Sequence, residues 1–343
     1  MIVSRITLAG MKRIRRAETM NMARMTAAMV VATLILTVSA AADPERWARE
    51  GWKTDFGKSN IAFNEILSGG PPRDGIPSID DPVFRPASQI EDVGDTEPLI
   101  QLEIGDTVRA YPLRVLTWHE IANDVLEGVP VAVTFCPLCN ASLVFDRRLG
   151  DRVLEFGTTG KLRHSDLVMY DRQTESWWQQ FTGEAVVGAL TGERLKLLPS
   201  RIVSFAMFRE AHPDAPVLVP NDPGFRDYGR NPYAGYDSSS IPFLFRGDLP
   251  DGIPAMARVV VVRGDGAPLV VSMDRVRQGG YRHGDVAIDY IGGVASALDR
   301  SAIADSRDVG TVRVLRNGKD VAHDITFAFV AHAFHPEAEI ITD

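Results

Sequence analysis

The sequence predicts a mixed α+β fold, mostly antiparallel β with short helices, in two related β-rich units that arise from an internal duplication. Three observations predict it. Short strand-like runs bounded by Gly, Pro and Asn-Gly outnumber helical patterns. Strands and helices do not alternate regularly, which argues against a parallel sheet wound by crossover helices. The chain also echoes itself. Val131-Ala-Val-Thr-Phe135 recurs as Val286-Ala-Ile-Asp-Tyr290, Ala141-Ser-Leu-Val-Phe-Asp-Arg147 as Ala295-Ser-Ala-Leu-Asp-Arg300, and Ser204-Phe-Ala-Met-Phe as Thr326-Phe-Ala-Phe-Val. These echoes define a first unit over 97–219 and a second, shortened unit over 257–341, expected to superpose with Cys136–Cys139 over 291–294.

The elements follow in order. Residues 1–42 read as a secretory signal peptide. Arg5, Lys12, Arg13, Arg15, Arg16 and Arg24 form a basic leader, an uncharged and mostly apolar run fills 25–38, and Ser39-Ala-Ala-Ala offers cleavage after Ala40 or Ala42. The apolar run is shorter than the ~20 residues that span a bilayer. An uncleaved anchor is the alternative, and the true start lies at Met1, Met20, Met22 or Met25. Residues 43–96 read as an N-terminal arm or loop, Pro- and Gly-rich at 69–86. Segments 99–104 and 107–113 flank Gly105-Asp106 as a hairpin, and 116–123 reads as a short helix. Strands are expected at 152–156 and 167–170, and short helices at 203–211 and 328–334, each stopped before proline. Residues 220–256 read as a linker loop that carries Tyr228, Tyr233 and Tyr236. Further strands are expected at 258–263, 269–272 and 311–316, the last closed by Asn317-Gly318.

Removing 1–42 takes away six basic residues and one acid, Glu18, and carries the net charge from −8 to −13. So acidic a chain repels nucleic acid and anionic lipid. The expectation is an exported, soluble protein, periplasmic or secreted, with no nucleic-acid partner and no stable membrane insertion once the signal is cleaved. Phosphate-cradling glycine fingerprints and the G-x-S-x-G elbow are absent.

The chemistry concentrates in the chain's two cysteines, in Phe135-Cys136-Pro137-Leu138-Cys139-Asn140. Strand-like runs enter and leave this motif. In the second unit Gly292-Gly293, a tight-turn signal, stands in its place, so the pair is expected on a hairpin turn. Pro137 stiffens such a turn and Asn140 tolerates the left-handed backbone that follows it. Three uses fit: a metal knuckle, a redox dithiol, or a small structural disulfide. Two sulfurs do not close a metal site, so further ligands would come from His119, His164, Asp166 or His335. Thiolate with imidazole suits copper or zinc. His119 sits between Trp118 and Glu120 on the short helix, and Glu120 or Asn123 would orient its ring. His212 and His335 each precede Pro and an acid, which fits a common role at a helix end. The stretch from Asp171 to Gln180 mixes charge, amide and indole, and Trp177 and Gln179 are expected to line a pocket.

Arg109-Ala-Tyr-Pro-Leu, Trp118-His-Glu-Ile-Ala-Asn-Asp124, Val129-Pro-Val-Ala-Val-Thr-Phe-Cys-Pro-Leu-Cys-Asn140 and Ser165-Asp-Leu-Val-Met-Tyr-Asp-Arg-Gln-Thr-Glu-Ser-Trp177 resemble a bacterial and archaeal family named domain of unknown function 3179. The resemblance spans about 97–340 and implies no activity. The family often has Asn where this chain has His164, which leaves Asp166 the better shared ligand. The expected site therefore has Cys136 and Cys139 as catalytic and metal-binding residues, His119 and Asp166 as further metal ligands, and Asp166, Trp177 and Gln179 around a small-molecule or metal ligand. A metal- or thiol-dependent oxidoreductase is the enzymatic form. A metal carrier or ligand-binding protein with a structural disulfide is the alternative.

N-terminal sequencing of protein exported from its native host should find residues 1–42 missing. A mature chain that starts at Met1 or Met25 would refute cleavage.

Overall fold

Two-residue hairpin loops set the register of several strand pairs in this chain. Glu127 and Gly128 are both left-handed (φ 51° and 72°) and join Ile121–Leu126 to Val129–Cys136, with Leu126 opposite Val129. Asn317 and Gly318 (φ 50° and 77°) likewise join Thr311–Arg316 to Lys319–Asp320. Positive φ at both central residues gives the loop a twist that matches the strands it joins. Gly105 supplies the left-handed position between Pro98–Ile104 and Thr107–Pro112, as expected.

The computed structural model describes residues 43–264 and 266–343. The signal peptide expected at 1–42 lies outside them. The described strands form two five-stranded sheets, three four-stranded sheets and one two-stranded ribbon. The structure is 39% strand and 15% helix, arranged as a five-bladed β-propeller. Pairing is antiparallel except where Pro216–Val219 meets Thr107–Pro112, where Ile340–Ile341 meets Leu269–Ser272, and at the isolated bridge of Ile79 with Ala122. The α-helices, such as Leu113–His119, Phe205–Ala211 and Ala328–Phe334, have five to seven residues each. No described helix is long and apolar enough to cross a membrane.

This architecture corrects the α+β expectation and the duplication. Helices this short bury too little surface to form a layer of their own. The duplication fails at its most specific landmark. Gly292-Gly293 does not close a tight turn: strand Val286–Ile291 pairs with Thr311–Arg316, Ile291 opposite Thr311. The chain between them forms a long excursion with a 3-10 turn at Ile303–Asp305. The segment 295–300 is therefore not a strand, and Cys136–Cys139 has no counterpart at 291–294. The echo of 204–212 in 326–335 reflects a local habit. In both places a strand runs straight into a one- or two-turn helix that ends before proline.

The sheet Lys196–Leu198, Ala141–Asp146, Val129–Cys136 and Ile121–Leu126 carries the cysteines. Its strands Val129–Cys136 and Ala141–Asp146 are almost wholly buried, which explains their nearly unbroken apolar sequence. The sheet Ile66–Ser68, Phe156–Arg163, Asp166–Asp171, Trp177–Gln179 and Glu184–Val187 carries Asp166. The N-terminal arm wraps this second sheet. Trp47, Trp52 and Phe56 meet Trp177 at ring distances of 4.8, 5.1 and 5.4 Å.

Trp177→Ala should cost about 3–5 kcal/mol, as large aromatic truncations in a filled core do. Denaturant melts read the loss, and limited proteolysis should cut first within 43–63. A loss below about 1 kcal/mol would show that the arm is not anchored there.

Candidate functional site

The Cys-x-x-Cys turn is a tight hairpin end. Cys136 pairs with Ala141 in register, the Cys139 N–H donates to the Cys136 carbonyl at 3.2 Å, and the Asn140 N–H donates to the Pro137 carbonyl at 3.2 Å. Asn140 is left-handed (φ 53°), the role its residue type suggested. Both cysteines are free and fully buried. Their sulfurs lie 3.5 Å apart without a bond.

A second hairpin delivers Asp166 to this turn. His164 and Ser165 are consecutive left-handed residues (φ 53° and 65°) between Phe156–Arg163 and Asp166–Asp171, with Arg163 opposite Asp166. This explains why asparagine suits position 164: its short polar side chain tolerates that conformation. The Cys136 thiol points toward the Ser165 carbonyl, Sγ to O 3.8 Å. Donor atoms from Cys136, Cys139 and Asp166 all lie within 4.8 Å of one another. Asp166 Oδ2 accepts from Gln179 Nε2 at 2.5 Å and from the Phe181 N–H at 2.9 Å. Oδ1 is buried without a regular hydrogen bond, and both thiols act on the same carboxyl.

Burial governs the protonation of this cluster. It raises the Cys136 thiol above its ordinary range and the Cys139 thiol well above it, with Cys136 and Asp166 adding to the effect on Cys139. Burial pushes Asp166 up to about 6 against the hydrogen bonds from Phe181 and Gln179. Glu120 rises to about 8, through burial first and the nearby Asp166 charge second. Asp324 rises to about 7, through burial that outweighs its hydrogen bond from the Ser142 N–H and the attraction of Arg263.

Glu120 is the functional candidate that sequence reasoning placed only as an orienting group. It follows helix Leu113–His119 with an unusual backbone (φ 59°), while its carbonyl accepts from the Phe135 N–H at 2.8 Å. Its side chain lines a cavity of about 500 Å³ beside Leu138 of the turn and Leu167. Tyr233 and Tyr236, from the loop expected as a linker, line the same cavity. A positive φ at a glutamate was the one feature that would have singled it out, and sequence does not display it.

The other expected site residues are placed elsewhere. His119 uses both ring nitrogens, Nδ1 with the Pro77 carbonyl and Nε2 with the Tyr228 hydroxyl, each at 2.7 Å, and stacks against Phe225 and Tyr228. His164 Nε2 lies 3.4 Å from Glu65, with its ring on Phe334. His335 packs against Phe181. Trp177 belongs to the aromatic core under the N-terminal arm. Gln179 alone of that segment reaches the cluster, through Asp166.

Fold and site together define a β-propeller protein with a buried Cys-x-x-Cys knuckle beside a cavity. The chain belongs to the family DUF3179, described as proteins of unknown function, whose model matches residues 73–338. No curated protein and no solved structure matches it.

The raised carboxyls set a pH dependence. Unfolded carboxyls titrate near 4, so the folded, metal-free state holds extra protons on Asp166, Asp324 and Glu120 up to about 6, 7 and 8. That stability is lost as pH rises through those values. His119, His164, His323 and His335, all lowered by burial, pull the other way but only below about 6.5. Thermal melts in chelator should therefore show the midpoint falling between about pH 6.5 and 8.5, less steeply in Glu120→Gln. A midpoint that rises across this window would contradict the assignment.

Proposed function

We propose that the protein is an exported metal-binding protein of the periplasm or the secreted fraction, whose centre is Cys136, Cys139 and Asp166. The supporting observation is a set of two thiols and a carboxyl, wholly buried and within 4.8 Å of one another, with one carboxylate oxygen left without a hydrogen bond. Buried acids favour a counter-charge; Arg263 offers one from a distance to Asp324 and Asp166, and a dication between the sulfurs and Asp166 would displace their protons on binding. The spacing fits: two thiolates on a tetrahedral zinc at ~2.3 Å sit ~3.8 Å apart. Two sulfurs with one oxygen suit zinc or copper. Gln179 would hold Asp166 in its ligating orientation, as outer-shell partners do.

Three protein ligands leave a fourth position, the arrangement of catalytic rather than structural zinc sites. A bound ion would supply Lewis acidity there, or one-electron exchange in the case of copper. Glu120, at the cavity wall with a carboxyl that ionises near neutral pH, is suited to moving a proton. A thiol–disulfide role is supported less well, because burial keeps both thiols protonated and the thiolate is the reactive form.

Protein purified from the exported fraction should carry about one equivalent of zinc or copper per chain, and the metal should be lost in both Cys136→Ser and Asp166→Asn. Circular dichroism checks that each variant is folded. Metal content equal in wild type and folded Cys136→Ser would overturn the reading. Metal affinity should also rise with pH from 6 to 8, because ligand protons must leave.

A further inference from the structure

The polar groups around the 500 Å³ cavity are mostly spoken for. Lys161 Nζ is paired with Glu50 at 3.1 Å, and Thr158 donates to the Ile76 carbonyl at 2.7 Å. Ser239 donates to the Ile241 carbonyl at 2.9 Å. The Tyr236 hydroxyl donates to the Leu138 carbonyl at 3.0 Å and accepts from the Phe243 N–H at 3.2 Å. Two side chains remain. The Glu120 carboxyl and the Tyr233 hydroxyl make no hydrogen bond among the described residues, although each lies close enough for Glu120 to act on Tyr233. The remaining walls are apolar: Ile76, Leu138, Leu162, Leu167 and Phe243. The cavity thus has one polar corner, beside Cys136 and Asp166, and greasy sides.

Such a lining selects its occupant. An anion would meet the Glu120 carboxyl, with Asp166 and Cys136 close behind it, while Lys161, the cation on the lining, is already paired. A purely apolar molecule would leave Glu120 and Tyr233 unsatisfied. A hydroxyl can both donate and accept, so it can bridge a carboxyl and a phenol whichever of them carries the proton. A cavity of about 150 Å³ already holds benzene, so this one has room for a fused ring pair.

We propose that this cavity binds a neutral, mainly apolar aromatic alcohol or phenol, with its hydroxyl lodged between Glu120 and Tyr233. The purpose of that binding rests on the metal-centre reading, but the binding itself does not. Tyr233 positions the hydroxyl, Glu120 shares it, and Leu138 carries the ring against the back of the cysteine turn.

The test uses 1-naphthol, naphthalene and 1-naphthalenesulfonate, titrated into the mature protein by fluorescence and calorimetry, with and without metal. Saturable binding of 1-naphthol at about one site per chain is expected, with naphthalene and the sulfonate each about tenfold weaker or worse, the size of one net hydrogen bond. Tyr233→Phe should weaken 1-naphthol about tenfold and leave naphthalene unchanged. Ala234→Trp, on an exposed loop residue at the cavity wall, should block both. No saturable binding overturns the proposal, as does equal affinity for 1-naphthol and naphthalene. Binding untouched by Ala234→Trp overturns it too. Cys136→Ser separates the two readings. Naphthol binding retained in a variant that carries no metal, or in a wild type that never held any, upholds the cavity without the metal. Metal bound without naphthol refutes the cavity alone.

Discussion

The cysteine turn is held by the far end of the chain. The Cys139 carbonyl accepts from the Phe327 N–H and from Thr326 Oγ1, at 3.2 and 2.8 Å. Asn140 Nδ2 donates to the Ile325 carbonyl at 2.8 Å, and Asp324 accepts from the Ser142 N–H at 3.0 Å. Arg258 then locks Asn140 from the other side, donating to its Oδ1 at 2.7 Å while pairing with Asp237. A four-residue turn with two sulfurs would otherwise be free to swing. Strand His323–Phe327 and Arg258, opposite Phe327 in the same sheet, fix it from a sheet other than its own, so the site depends on the packing of the two sheets. Substitutions in 323–327 should therefore disturb the sulfurs without touching them.

That packing also makes the acid cluster tolerable. Asp166 is wholly buried, yet two donors from 179–181 hold one of its oxygens, so only the other is left for a ligand. Gln180, between those donors, reaches Thr134 Oγ1 and the Ala141 carbonyl and ties the Asp166 sheet to the cysteine sheet. The segment that sequence reading assigned to a pocket wall is thus a splint between two sheets. Trp177 meets the N-terminal arm, Gln179 holds Asp166, and Gln180 reaches across to the cysteine sheet.

Much of this was legible because two-residue loops and buried strands leave strong marks. Gly105-Asp106, Asn317-Gly318 and the Cys-x-x-Cys turn were all found from residues that favour or permit left-handed backbone. Asp166 was a candidate because it stands in a polar cluster before an apolar strand and because the resembling family often has Asn at 164, and the structure sets it beside both sulfurs. The misreadings came from signals that two structures share. Gly292-Gly293 has the composition of a tight turn, but nothing in a glycine pair says whether the next strand follows at once or nearly twenty residues later. His119 has the chemistry of a ligand, and what engages it, the Pro77 carbonyl and Tyr228, is remote in sequence. The arrangement of small sheets into five blades depends on contacts between sheets, which period and turn chemistry do not encode. For the same reason the sequence did not show that Tyr233 and Tyr236 of 220–256 line the cavity.

Strain points to the same place as the chemistry. Nine non-glycine residues among those described have left-handed backbone, and four of them, Glu120, Asn140, His164 and Ser165, surround the two sulfurs and Asp166. Asn140 accepts this conformation cheaply, whereas a glutamate, a histidine and a serine do so at a cost of order 1–3 kcal/mol each. Glycine would relieve that cost at every one of these positions. Each side chain is instead used. Glu120 faces the cavity, Asn140 joins Arg258 to the last strand, and His164 packs on Phe334. Ser165 donates to the Phe243 carbonyl, which pins the cavity's outer wall to the Asp166 hairpin. Stability alone would not favour such a pattern. It is the pattern expected where the positions of two thiols, two carboxyls and an adjoining cavity matter more than the energy spent to fix them.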